Sequence, residues 1–290
     1  MENKIHKLLC ELGISDSNSI ELFSPKVRDR DDITVMKCNK SGVLFLSQLE
    51  HIDSKYYPAN MGGYYPDSRK QAILECFEDD QRRANQFGNI IRNKEWLEIG
   101  TGAGGILDLL HPTTLGTVAI EPQNSMREEL IKLGYHVYAD IDEVSENNFD
   151  IATLFHVFEH FTQPLKTLEK IVARIKSGGK IVIEVPHAND FLISFLDLES
   201  FKAFTFWSEH LILHTRQSLR LFLEHAGLKN ISIMGYQRYP LANHLHWLSQ
   251  EKPGGHLVWS HLRTPELDDV YADMLARLDK TDTLIAIAEK

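Results

Sequence analysis

An α/β fold on a mostly parallel, Rossmann-like sheet is the class this sequence predicts, and three features predict it. The first is Glu95-Trp96-Leu97-Glu98-Ile99-Gly100-Thr101-Gly102-Ala103-Gly104-Gly105. It reads as an apolar strand ending in an acid, a glycine-rich turn and the start of a helix. Glycines at alternate positions let the backbone approach a ligand closely because no Cβ intervenes. Free N–H groups at the helix start suit a carboxylate or a phosphate. The second feature is a pair of short β-rich runs that also end in carboxylates, Gly116 to Glu121 and Tyr135 to Asp140. The third is the alternation beyond them. An apolar run at Phe149 to Phe155 is followed by a helix from Pro164 to about Ile175, then by Ser177-Gly178-Gly179 and a strand from Lys180 to Pro186. Leu165, Leu168, Ile171, Val172 and Ile175 give that helix an apolar face, and strands separated by single amphipathic helices build parallel sheets.

Each strand-end carboxylate has a chemical reading. Glu121 lies 23 positions after Glu98, near the roughly 20-residue spacing that sets an acid on a ribose after the second strand. Two adjacent ribose hydroxyls present donors, and one carboxylate accepts both. Asp140 ends the third strand, where an acid receives an adenine amino group. His156-Val157-Phe158-Glu159-His160-Phe161 follows the fourth strand on the ligand side. A dehydrogenase with a dinucleotide cofactor competes for the first motif. It expects G-x-G-x-x-G, a spacing that the G-x-G-x-G-G string here contains, so the motifs further along the chain decide between the two.

Taken together, these residues resemble the class I S-adenosylmethionine-dependent methyltransferases over roughly Glu95 to Lys290. Four motifs in register carry the resemblance: E-I-G-T-G-A-G, the acid Glu121, H-V-F-E-H-F after strand four, and R-I-K-S-G-G-K-I-V-I-E-V-P at strand five. In the last of these, Ser177 stands where the family has proline. The resemblance implies a seven-stranded methyltransferase sheet and S-adenosylmethionine as cofactor. The residues that match its cofactor motifs are Glu98, Gly100, Thr101, Gly102, Gly104, Glu121, Asp140, Phe155 and His156.

Composition agrees and excludes some classes. A chain of 290 residues supports one large domain or two modest ones, with a real core. The net charge of −10 argues against a nucleic-acid partner, because Lys and Arg contacts supply most of that affinity. No apolar run approaches the length of a membrane span, and the N-terminus lacks the apolar stretch of a signal peptide, so a cytoplasmic protein is expected. Cys10, Cys38 and Cys76 are too few and scattered for a disulfide framework or a zinc site. Oligomeric state is left open.

Residues 1–66 read as an N-terminal cap and 67–290 as the methyltransferase domain. The cap holds a hairpin, Ile33 to Cys38 and Val43 to Leu46 around Asn39-Lys40-Ser41-Gly42, then a loop with Tyr56, Tyr57, Gly62, Gly63, Tyr64 and Tyr65. It resembles the N-terminal part of bacterial sugar and polysaccharide methyltransferases, with Ser41 replacing the second cysteine of their ribbon, so no zinc ribbon is expected. A polar helix spans about Asp67 to Arg92. Thr215 caps a helix apolar at Leu219, Phe222, Leu223 and Ala226 and stopped by Gly227. Strand six is expected at Ile231 to Tyr236 and the last strand at Thr283 to Ala288. The intervening 238–282 insertion starts at the ligand face of the sheet and reads as a substrate lid.

Methyl transfer asks a protein for in-line alignment and, for a hydroxyl acceptor, a base. His160 and His210 are the candidate catalytic bases, with Glu159 orienting one of them. An alternative draws on the E-x-x-E-H motif of metal-using O-methyltransferases, which the segment resembles with His156 in place of the first glutamate. In that reading His156, Glu159, His160 and His210 bind a divalent metal, and the donor set suits Mn, Fe or Zn better than Mg. The expected reaction is O-methylation of a small polar acceptor, a sugar or nucleotide-linked sugar in polysaccharide biosynthesis. The alternatives are C- or N-methylation of a small metabolite, or a catalytically silent methyltransferase fold used as a binding module.

Overall fold

The computed structural model describes residues 3–59 and 68–290. In chain order, α1 (Lys4–Glu11) is capped by Asn3 and followed by β1 (Ile20–Ser24), β2 (Val35–Cys38) and β3 (Leu44–Leu46). A long helix, α2 (Arg69–Ile91), leads into β4 (Glu95–Ile99), α3 (Gly105–Leu110), β5 (Gly116–Ile120), α4 (Asn124–Lys132), β6 (Val137–Tyr138) and β7 (Phe149–Phe155). Next come α5 (Pro164–Arg174), β8 (Ile175–Pro186), α6 (Glu199–Thr205), β9 (Ile212–Leu213), α7 (Arg216–His225) and β10 (Lys229–Tyr236). The chain closes with α8 (Leu241–Gln250), α9 (Gly255–Val258), α10 (Pro265–Arg277) and β11 (Thr283–Glu289).

The main sheet has seven strands in the order β10-β11-β8-β7-β4-β5-β6. Neighbours from β8 to β6 pair parallel, and β11 is antiparallel to both β8 and β10. β10 therefore runs with the parallel strands, and its carboxyl end lies at the same edge as theirs. Both faces are buried, which is why these strands read as near-continuous apolar runs. One face packs Trp96, Ile151, Phe155 and Val182 against Phe87 and Ile91 of α2. The other packs Leu97, Ile99, Leu154, Ile181 and Ile183 against Leu168 and Ile171 of α5 and Leu219 and Phe222 of α7.

The elements fall close to their sequence limits. Ser68 caps α2 and Thr215 caps α7. β8 begins at Ile175, directly after α5, earlier than the Lys180 expected from the Ser-Gly-Gly stop. The cap hairpin forms as expected, but its sheet continues into a strand the sequence had not revealed. β9 pairs antiparallel with β3, in the order β1-β2-β3-β9. Residues 210–214 are thus pinned between the cap and the turn after β7, where Leu211 donates its N–H to the Glu159 carbonyl at 2.9 Å. The 238–282 insertion folds as three helices. No helix among the described residues is long and apolar enough to cross a membrane.

Candidate active site

The glycine turn leaves β4 with Gly100, Gly102 and Gly104 all at positive φ, at 69°, 58° and 75°. L-residues avoid that region, and space forbids them too. A Cβ on Gly100 would lie 2.4 Å from Val157 Cγ2, and one on Gly104 2.5 Å from Leu130 Cδ2. Contact with Val157 joins the turn to the segment after β7. Gly100 and Thr101 donate their N–H groups to the Ile120 carbonyl at 2.8 and 3.0 Å. The Thr101 hydroxyl is buried without a partner. α3 itself is only six residues long.

Glu121 stands at the end of β5 with its carboxylate inside the turn. It accepts from Gly102 N–H at 2.6 Å and Gln123 N–H at 2.8 Å. Burial pushes its pKa up to about 7 against those two hydrogen bonds. Glu98 is also buried and accepts from the Thr153 hydroxyl. Burial and the nearby Asp80 push it up to about 8, against Thr153 and Arg83. Asp140 is exposed at the end of the third parallel strand and caps a short turn through Asp142 N–H at 2.8 Å. Phe155 stacks on Phe87 with ring centroids 5.5 Å apart, under the Arg83 guanidinium.

Beyond β7 the chain turns sharply at His156, which holds φ 55°. Its imidazole sits between carboxylates, with Nδ1 3.3 Å from Glu159 and Nε2 3.2 Å from Glu184. Burial and the Arg238 charge lower its pKa, but the two carboxylates outweigh them and the net direction is up. Glu184 is clamped in turn by Arg82 and Arg83 of α2 at 2.6 and 2.8 Å. Arg238, the first residue of the insertion, reaches back to ion-pair with Asp79 of α2 and lies 3.4 Å from His156 Nε2.

Glu159 is fully buried, and neither of its oxygens accepts a well-formed hydrogen bond. Its ionic neighbours are His156 and, at 3.9 Å, His160 Nε2. His160 turns its other nitrogen toward the cap, 3.4 Å from the Tyr57 hydroxyl and 3.9 Å from Glu209. Its ring meets that of His210 edge-on at 5.1 Å. Glu209 accepts from the Tyr56 hydroxyl at 3.1 Å, and burial raises its pKa to about 7. Burial lowers the His210 pKa to about 3, with the His160 charge adding to it. Burial lowers His160 as well, against the pull of Glu159. Tyr57 is pushed well above the usual phenol range by burial and by Glu209, so its hydroxyl stays protonated.

A family model described as a methyltransferase domain matches residues 69–233, which run from α2 into β10 and hold both the glycine turn and the histidine cluster. The chain belongs to the methyltransferase domain family. No curated protein matches it. Among solved structures it resembles a SAM-dependent methyltransferase from Archaeoglobus fulgidus, at 17% identity and a TM-score of 0.52, covering 77% of this chain and 95% of that one. It also resembles a possible histamine N-methyltransferase from Thermotoga maritima, at 15% identity and a TM-score of 0.47, covering 75% and 98%. A third is phosphoethanolamine N-methyltransferase 2 of Haemonchus contortus, at 14% identity and a TM-score of 0.45, covering 73% and 52%.

Within this methyltransferase, the sequence-derived residues divide into two groups that meet at Val157. Glu98, Thr101 and Glu121 surround the glycine turn, while Glu159, His160 and His210 bring ligand atoms within 4.8 Å of one another. His156 departs from the expected four-residue metal set. The turn at its positive φ aims the ring at Glu184, and only its Nδ1 reaches Glu159. His244 and His256, the insertion's own histidines, pack inward on Tyr271 and Asn243. Gly62, Gly63, Tyr64 and Tyr65 lie outside the described residues. Tyr57, Glu209, Glu184 and Arg238 were missed as site residues. For Glu184 a sign was available, since an acid inside an otherwise apolar strand demands a buried partner.

Proposed function

We propose that the chain transfers a methyl group from S-adenosylmethionine to a hydroxyl of a small polar acceptor, a sugar or nucleotide-linked sugar. The observation that carries this reading is the Glu159–His160–His210 cluster, with Glu159 buried and the two histidines half-buried. It joins Tyr57 and Glu209 and is linked to the glycine turn through Val157. The turn fits the cofactor. Thr101 offers an unpartnered buried hydroxyl, Glu121 holds an inward carboxylate for a ribose, and Asp140 stands at the third strand end for an adenine. When bound, S-adenosylmethionine supplies a methyl group on a sulfonium already activated for displacement.

The chain's own residues then have a short task. A sugar hydroxyl is a very weak acid, so its proton must leave as the new C–O bond forms. His160 stays neutral near pH 7 and presents Nδ1 beside the Tyr57 hydroxyl, where the acceptor oxygen would approach. Its Nε2 faces Glu159, whose pKa burial raises but whose histidine neighbours draw it down to about 2. Glu159 therefore stays anionic and stabilises the imidazolium once Nδ1 takes the proton. An amine acceptor, by contrast, loses its proton readily after methylation and needs no such base. Tyr56, Tyr57 and the 238–282 insertion flank this space from the cap side and the β10 side, and both are proposed to close over it.

A second reading rests on the unsatisfied oxygens of Glu159. With His160 and His210 neutral, the three residues fit a divalent cation of the Mn, Fe or Zn type, which would polarise the acceptor oxygen. The test of the main reading is a thermal-shift screen of nucleotide sugars and free sugars with S-adenosylhomocysteine present. Hits are then incubated with S-adenosylmethionine and analysed by mass spectrometry for an O-methyl product. Binding of S-adenosylhomocysteine with methylation confined to amines would overturn it.

A further inference from the structure

The cap loop between β1 and β2 carries Lys26, Arg28 and Arg30. Lys26 pairs with Asp31 at 2.7 Å and Arg30 with Asp32 at 2.6 Å. Arg28 forms no ion pair among the described residues. Its guanidinium instead lies over the Trp207 ring, 4.6 Å from the centroid, and 5.5 Å from that of Phe204. Stacking occupies the face of the group and leaves its N–H edge open. On that edge Nη1 reaches the Phe204 carbonyl at 3.4 Å, and the other side-chain donors make no hydrogen bond among the described residues.

Backbone contacts fix the position. Arg28 donates its own N–H to the Phe206 carbonyl at 2.8 Å. The adjacent Asp29 accepts from the Ser208 N–H and hydroxyl at 3.0 and 2.6 Å, which engages both of its oxygens. The loop is thereby locked to residues 206–208, immediately ahead of Glu209 and His210. Glu209 in turn is held by the Tyr56 hydroxyl. Trp207 makes the link to the site, since its ring meets those of His160 and His210 edge-on at 6.4 and 5.6 Å. The Arg28 guanidinium therefore stands one indole away from the candidate bases.

A chain of net charge −10 repels an anionic acceptor unless a local cation offsets that field. A held guanidinium with open N–H groups grips a phosphate through two parallel hydrogen bonds. We propose that Arg28 selects the acceptor by its phosphate. It holds the phosphate on the sugar's anomeric carbon while the hydroxyl to be methylated faces Nδ1 of His160, and the sugar ring bridges the width of the indole. The proposal rests on the sugar reading above and narrows it from free sugars to phosphate-bearing ones, whether 1-phosphates or nucleotide-linked.

The experiment is calorimetry on the full chain saturated with S-adenosylhomocysteine. Glucose and galactose are each titrated as free sugar, 1-phosphate and UDP-linked sugar, with glucuronic acid as a non-phosphate anion. In the wild type the phosphate-bearing members should bind at least about tenfold tighter than the free sugars and than glucuronic acid. Whichever of the 1-phosphate and the UDP-linked sugar binds tighter identifies the source of the phosphate. Arg28→Gln should abolish the advantage, and Arg28→Lys, which keeps the charge and loses the fork, should retain only part of it. Affinity for S-adenosylhomocysteine should hold in both, and Lys26→Gln on the same loop should change nothing. Circular dichroism melts confirm that the variants are folded. A phosphate advantage that survives both Arg28 substitutions overturns the role of Arg28. Free sugars or glucuronic acid that bind as tightly as the phosphate-bearing members overturn the selection, with the sugar reading intact. Binding of none of these sugars, with methylation confined to amines, overturns the sugar reading and this proposal together.

Discussion

Glu98→Gln should make the protein less dependent on pH, and the size of the effect follows from one buried carboxyl. Glu98 is 2% exposed, and burial, with Asp80 nearby, pushes it from an ordinary 4.5 up to about 8. Between those limits the folded chain keeps a proton that the unfolded chain releases. This group's contribution to stability is therefore fully present below pH 4.5, falls as pH rises, and levels off above about 8. Sign and slope follow from linkage. At pH 7 the loss from this group is about 3 kcal/mol relative to pH 4.5. Glutamine has no proton to hold, and its amide oxygen can still accept from Thr153.

The difference between the two proteins should thus move in favour of glutamine by about 3 kcal/mol between pH 4.5 and 7, or roughly 6 °C in Tm for a chain of this size. Paired melts of wild type and variant from pH 5 to 8, plotted as a difference, read this directly. Titrating groups that do not interact with Glu98 cancel in that difference, and the neighbouring Asp80 adds the one coupled contribution. Parallel curves would refute the assignment of a raised pKa, and a gap widening in favour of glutamate would refute its sign. Calorimetry with S-adenosylhomocysteine supplies the functional half. A carboxyl retained at a stability cost should serve the ligand, so the glutamine variant should bind more weakly even where it melts higher.

Three other outcomes are expected. Gly100→Ala should destabilise by about 2 kcal/mol or more, because it combines a positive φ with a clash against Val157. Adding Val157→Ala should restore only the steric part, as read by denaturant midpoints. Once an acceptor is found, His160→Ala should lower turnover roughly 10²–10⁴-fold while S-adenosylhomocysteine affinity holds. The wild-type pH–rate profile should reach its plateau below the usual histidine range, since burial lowers His160. Activity abolished by EDTA and restored by Mn²⁺ or Fe²⁺ would move the chemistry from the free base to the metal reading. Arg238→Ala removes the ion pair with Asp79 and should increase proteolysis within 238–282, measured by limited digestion against intact wild type.

How much of this was legible in the sequence follows the range of the interactions. Periodicity and glycine spacing are local, so β4, the glycine turn, α5 and α7 with its Thr215 cap could be read within a few residues. Glu98 and Glu121 were readable because strand length and direction fix where a strand-end acid must lie. The second half of the site depends on contacts between distant segments. His160 meets Tyr57 across 103 positions, and Glu209 meets Tyr56 across 153. Both contacts lie beside the pairing of β9 with β3, a two-residue match too short to leave a pattern. Likewise His156 stands outside the Glu159, His160 and His210 group for a reason invisible to spacing. A positive φ at that residue rotates its ring toward Glu184, a strand acid whose partners, Arg82 and Arg83, lie about a hundred positions earlier in α2. The histidine after the fourth strand therefore belongs to the charge network beneath α2, and His160 is left as the imidazole facing the cap. That division leaves His160 and His210, the two histidines proposed as bases, ring against ring on the cap side.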